Sequence, residues 1–241
     1  MQFGYLLNVV ILSRLFYGFK DEPIKLKKIF IVTAFQFASL LILQLSFKTV
    51  LLAISLVALN VVFYFFERKI NALNPLRLIS VFVVIMIFGI FSSFFIPDTI
   101  NPNVISFINE FKNNSAIFLV LSRTNWQKSN LIFCGGLFLL NEINFGIRYF
   151  FEIFGLRPQE DKKEYSTGRI IGMLERIMVY FFVLAGQYAA IGFIIAAKGF
   201  TRFKDLDKRN FAEYVLVGTL LSSFSAIIVA SVVKGLMQII Q

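Results

Sequence analysis

The chain has 241 residues, of which 58% are hydrophobic and 16% charged, and its mean hydropathy is +0.77. That is more apolar than the roughly 45–50% of soluble domains and marks an integral membrane protein. The absence of histidine and the single cysteine, Cys134, exclude imidazole chemistry, an intrachain disulfide and a cysteine metal site.

In a soluble protein a net charge of +10 would raise nucleic acid as a partner. Here the basic residues fall mainly in short loops between apolar runs. That pattern suits anionic headgroups and the positive-inside bias, so the expected partner is the lipid bilayer and not nucleic acid. The 31 phenylalanines are at home facing lipid and need no binding site to explain them. The first apolar run has no basic stretch before it and no small-residue cleavage site after it, so no cleavable signal peptide is expected.

Residues 1–19 are apolar except for Arg14 and a few small polar groups, and either span the membrane or lie along its interface. A basic loop with Lys20, Lys25, Lys27 and Lys28 follows around Pro23. Spans are predicted at 29–47 and 50–66, a tight hairpin broken only by Lys48 and Thr49, with Glu67, Arg68 and Lys69 stopping the second. Asn74-Pro75 predicts a turn before a span at 78–96, closed by Pro97. Asn101-Pro102 predicts the start of an interfacial amphipathic helix over 102–112, with Val104, Ile105, Phe107, Ile108 and Phe111 on one face. Trp126, at headgroup level, precedes a span at 131–154. Gly155 and Pro158 end it in a polar linker. Two more spans are predicted at 170–197 and 211–233, joined by the basic turn TRFKDLDKR. The fold class is an all-α polytopic transmembrane bundle in one domain, with six or seven spans. The basic residues lean slightly toward loops 20–28, 67–77 and 155–169, a bias that favours those loops at the cytoplasm but is too small to fix the orientation.

Polar groups inside a membrane are functional candidates by default. The densest set lies in NEINFGIRYFFE: Asn141, Asn144, Arg148 and Glu152 fall at i, i+3, i+7 and i+11, one helical stripe, with Glu142 about 100° around. A lone charge at a bilayer centre costs at least ~2.5–3.5 kcal/mol, so partners are expected. Candidates are Glu175 and Arg176 at the start of the next span, Gln187 in its middle, and Arg14. Such a network either glues helices together or lines a hydrated path. Two small-residue faces also stand out. Ala185, Ala189, Gly192 and Ala196 share one, and Gly218, Ser222 and Ser225 share another with Val229. They predict close packing of the last two spans as an antiparallel hairpin.

The runs GRIIGMLER, GQYAAIGFIIAAK, RF and, at 212–222, AEYVLVGTLLS resemble the C-terminal part of a group of uncharacterised bacterial and phage-borne membrane proteins, over residues 168–225. Those relatives often begin with a segment holding a histidine and an aspartate; this chain has no histidine, so that half departs from the pattern. The resemblance implies a multi-pass protein of the bacterial inner membrane and no particular activity.

All five aspartates lie in loops, and no paired-carboxylate metal motif, P-loop, G-x-S-x-G or H-E-x-x-H is present. The expectation is a non-enzyme without cofactor. Two function classes follow: an oligomeric channel-like or transport protein, or a non-catalytic membrane subunit that anchors or assembles partners. Homo-oligomers or other membrane proteins are the expected protein partners.

Overall fold

The computed structural model describes residues 2–18, 22–70, 72–94, 100–106, 125–155, 162–201 and 209–240. These are helical throughout apart from short connections and one isolated antiparallel bridge between Leu43 and Ile100. The helices are α1 (Gln2–Gly18), α2 (Leu26–Leu40), α3 (Phe47–Lys69), α4 (Leu73–Phe94), α5 (Trp126–Ile153), α6 (Lys162–Leu184), α7 (Tyr188–Thr201) and α8 (Arg209–Ile239). Among the described residues four stretches are long and apolar enough to cross a membrane: Phe47–Lys69, Leu73–Ile90, Trp126–Ile153 and Ala212–Ile239. Gly4–Gly18 and Tyr188–Phe200 are shorter apolar helices. This is a membrane-embedded protein. The chain packs as two compact units, 1–134 and 135–241, and the division falls within α5.

In the first unit α1 packs on α2, α2 on α3, α3 on α4 and α4 on α1, which closes a four-helix ring. Its core is Leu6 and Val10 of α1, Leu40 and Leu43 around the end of α2, Leu52 and Leu56 of α3, and Val84 and Phe88 of α4. The outer faces stay apolar as well: Phe30 on α2, Ile54 and Phe65 on α3, and Phe82 on α4 are all exposed. A helix apolar all round with one face uncovered is suited to lipid, not water.

Several boundaries differ from the sequence reading. The span predicted over 29–47 ends at Leu40, because Ser46 and Thr49 start a new helix with a reciprocal cap. Thr49 N–H donates to Ser46 Oγ at 3.3 Å, and Ser46 N–H donates to Thr49 Oγ1 at 2.9 Å. With 15 residues, α2 covers only ~22 Å of a hydrocarbon core about 30 Å thick. Asn74-Pro75 is not a turn before α4 but lies in its first turn, where proline's missing N–H costs no helical hydrogen bond. At Asn101-Pro102 the helix start is present: Asn101 Oδ1 accepts from Asn103 N–H at 3.0 Å. Residues 107–112 of the predicted interfacial helix lie outside the described residues.

The largest correction concerns 170–197, which is not one span. α6 ends at Leu184, and Gly186 takes a left-handed backbone with φ +74°. Gln187 N–H donates to Phe182 C=O at 2.8 Å and Gly186 N–H to Val183 C=O at 3.1 Å, a Schellman closure with glycine at C′. α7 then folds back on α6, as the ion pair between Lys198 and Glu175 requires.

The second unit's directions follow from its contacts. Gly135 faces both Tyr180 and Val233, and Phe151 lies against Gly218 and Tyr214, so α8 runs antiparallel to α5. Gly136 meets Ile177. With Tyr180 beside Gly135, a parallel α6 would place Lys162 ~54 Å along the axis from Ile153. The step from 153 to 162 reaches at most about 32 Å. α6 is therefore antiparallel to α5 and parallel to α8, against which it packs extensively.

Candidate functional site: the charged layer of the second unit

Register from these contacts sets the level of each polar group. Leu140 is at the midpoint of α5. Five residues back from Tyr180 brings Glu175 level with it. Seven residues back from Val233 brings Ala226 level with Glu142. Ala226 and Ala230 are fully buried, so small side chains on α8 let the helices close up beside the polar groups.

On α5, Asn141, Glu142, Asn144 and Arg148 are all buried. Glu142 is 1% exposed and Arg148 3%. Arg148 Nε makes a long 3.4 Å hydrogen bond to the Asn144 carbonyl one turn back, and its guanidinium lies 4.9 Å from the Phe145 ring centroid. Glu152, the last member of the predicted stripe, is exposed one residue before the helix ends. On α6, Glu175 and Arg176 separate as neighbours on a helix do. Glu175 pairs with Lys198 of α7, while Arg176 turns inward and is 3% exposed. Arg176 lies within electrostatic reach of Glu175 and Arg148. Its Nε is buried without a hydrogen-bond partner, as is Ser222 Oγ on α8. Gln187 is exposed at the hairpin turn and takes no part in the layer. Sequence reasoning missed Lys198, because its approach to Glu175 exists only once the helix breaks at Gly186.

The predicted small-residue seam is also revised. Ala185, Ala189, Gly192 and Ala196 are exposed, and a Cβ added at Gly192 would meet nothing within 4 Å. α8 packs instead on α6 and α5 through Gly218, Ser222, Ala226, Ala230 and Val233. Ser225 sits beside this face, half-buried, its hydroxyl bonded to Leu221 C=O at 2.7 Å.

A second polar centre, in the first unit, was not anticipated. Arg77 at the start of α4 grips Glu67 at the end of α3 through two hydrogen bonds, Nε–Oε1 at 2.8 Å and Nη2–Oε2 at 3.1 Å. Glu67 Oε2 also accepts from Ile24 N–H at 2.9 Å. Arg14 donates to Ser80 Oγ at 2.8 Å and to Arg77 C=O at 2.7 Å. Tyr17 places its ring within 6 Å of both guanidiniums. Further along, Gln36 donates to Ser13 Oγ at 2.9 Å and accepts from Asn60 at 2.8 Å. Each of these groups has partners of the right sign and geometry, which is the pattern of structural glue. Among the described residues no cluster of three or more histidine, cysteine, aspartate or glutamate side chains could hold a metal.

No family model, no curated protein and no solved structure matches this chain.

Proposed function

We propose that this is a multi-pass membrane protein of the bacterial inner membrane, channel-like and non-catalytic, in which the charged layer of the second unit lines the path of a small ion. The observation that carries the reading is the contrast between the two polar centres. Among the described residues of the first unit the buried charges Arg14, Glu67 and Arg77 are gripped by partners from neighbouring helices. In the second, polar and ionisable side chains from α5, α6 and α7 gather near the midpoint of α5 and Arg176 keeps an unbonded Nε. Buried charge without full compensation is costly, and it persists where it serves conduction or binding. The test is ion flux into liposomes. Glu142→Gln is expected to change flux at least severalfold while circular dichroism and monodispersity stay unchanged. Unchanged flux in a folded variant overturns the reading.

One observation favours a second reading, a membrane subunit that assembles with itself or other membrane proteins. The small face of α7 is uncovered, and small residues are where membrane helices approach each other. Disulfide trapping with Ala189→Cys and Gly192→Cys in native membranes is expected to give a cross-linked dimer if copies meet there. Exclusively monomeric product counts against self-assembly through this face.

A further inference from the structure

One end of the first unit gathers exposed positive charge. Glu67 Oε2 accepts from Ile24 N–H at 2.9 Å, and Asn60 donates to Thr33 Oγ1 at 3.0 Å and to Gln36 Oε1 at 2.8 Å. Antiparallel register from these bonds sets Lys27 of α2 level with Arg68 of α3. Lys25, Lys27, Arg68 and Lys69 are all exposed there. Lys28 is set aside because it donates to Phe16 C=O. Glu67 is buried in the grip of Arg77, which leaves Glu22 as the exposed carboxylate among the described residues at this end. Four cations face one anion, an excess of three positive charges. Among the described residues no ion pair engages any of the four. The faces that carry them continue as exposed apolar stripes. Ile54, Val61 and Phe65 lead up to Arg68 at helical spacing on α3, and Phe30 follows Lys27 by three residues on α2. The Arg68 guanidinium lies 4.4 Å from the Tyr64 ring centroid, which fixes it beside its stripe. α2 and α3 are neighbours in the ring, so the two stripes adjoin.

We propose that the outer face of the α2–α3 hairpin binds one anionic phospholipid, with its phosphodiester among Lys25, Lys27, Arg68 and Lys69 and its acyl chains along the two stripes. Charge decides the occupant. A zwitterionic lipid would leave the excess uncompensated, and free phosphate would leave the stripes bare. A second copy docked two-fold on this face would bring like charges together. Packed helices lie about 8–10 Å apart, so cations from both rows reach one phosphodiester through their long side chains. The lysine stems lie along apolar surface while their ammonium groups stay at the headgroup level, and the planar fork of Arg68 matches two phosphate oxygens. Each such cation strengthens attachment to an anionic lipid surface about fivefold. The lipid site is independent of the ion path and stands whether or not the second unit conducts.

The experiment is thermal unfolding of the full chain in detergent micelles doped with dioleoylphosphatidylglycerol, with dioleoylphosphatidylcholine, or with inorganic phosphate at matched ionic strength. Phosphatidylglycerol is expected to raise the midpoint saturably, and the other two to leave it in place. The double variant Lys27→Gln with Lys69→Gln is expected to need at least tenfold more phosphatidylglycerol for half-saturation. Lys27→Arg with Lys69→Arg is expected to keep the original value. So is Lys48→Gln with Lys128→Gln, which removes two charges outside the patch. Equal response to both lipids, or an equal response to inorganic phosphate, overturns the site. The same half-saturation in the Lys27 and Lys69 glutamine variant overturns it too. Equal weakening by the two glutamine pairs assigns the attraction to net charge alone and likewise overturns it. Native mass spectrometry gives a second readout, independent of the unfolding midpoint. The unaltered chain is expected to retain one phosphatidylglycerol that the Lys27 and Lys69 glutamine variant loses, and equal retention in both overturns the site.

Discussion

Arg77 and Glu67 show how single residues hold this fold. Both are nearly fully buried, and their fork-to-carboxylate geometry joins α3 to α4. Removing one partner of such a pair leaves the other charged and stranded, at a cost of about 3–5 kcal/mol. Arg77→Ala is therefore expected to lower the thermal midpoint in detergent by well over ten degrees. The same change at the exposed Lys69 is expected to leave it in place. Gly135 gives a steric counterpart. A Cβ there would lie 2.5 Å from the Tyr180 hydroxyl and 2.8 Å from Val233 Cγ2, so α5 meets α6 and α8 at a point where only glycine fits. Gly135→Ala is expected to cost about 1–3 kcal/mol through overpacking. Gly136→Ala, whose nearest neighbour is Ile177 Cδ1 at 4.0 Å, serves as the neutral control in the same unfolding assay.

Among the helices, the α6–α7 hairpin is the feature most open to direct measurement. Spin labels at Leu174 and Gly199 would be ~38 Å apart along an unbroken helix. In the hairpin they are expected within about 10–20 Å, since packed helices lie 8–10 Å apart and labels add length. A distance near the longer value refutes the fold of this segment. The hairpin also shows what was legible in the sequence. That 177–197 is helical and apolar is plain from its composition. That it turns back is carried by one residue, Gly186, whose left-handed conformation no side-chain pattern announces within an apolar run. Ser46 and Thr49 did carry a readable capping signal, obscured because Lys48 looked like the break. The polar residues of α5 were legible as a stripe because helical spacing is fixed by geometry. Their partners were not, since Glu175 reaches Lys198 only through tertiary folding. Glu67 and Arg77 looked like loop charges because they sit at helix ends, where solvent exposure is the ordinary outcome.

At the scale of the whole molecule, the ring of the first unit fixes which helix ends share a side. The ends at Gly18, Leu26, Lys69 and Leu73 converge on the Glu67–Arg77–Arg14 cluster, while the α2–α3 connection at 41–46 lies at the other end. Single cysteines at Lys27 and Lys69 are expected to react with an impermeant maleimide from one side of the membrane, and one at Leu45 only from the other. Labelling of all three from a single side contradicts the arrangement.

Gly186 has a consequence for how the chain is made. α6 carries Arg169, Glu175 and Arg176, and α7 has only 14 residues. During synthesis each is expected to need a partner to leave the translocon for lipid. The turn brings Lys198 to Glu175, so the two helices are expected to enter the membrane together. Ribosome-bound chains that end before Lys198 are expected to keep α6 extractable by alkali, and chains that include it to resist extraction.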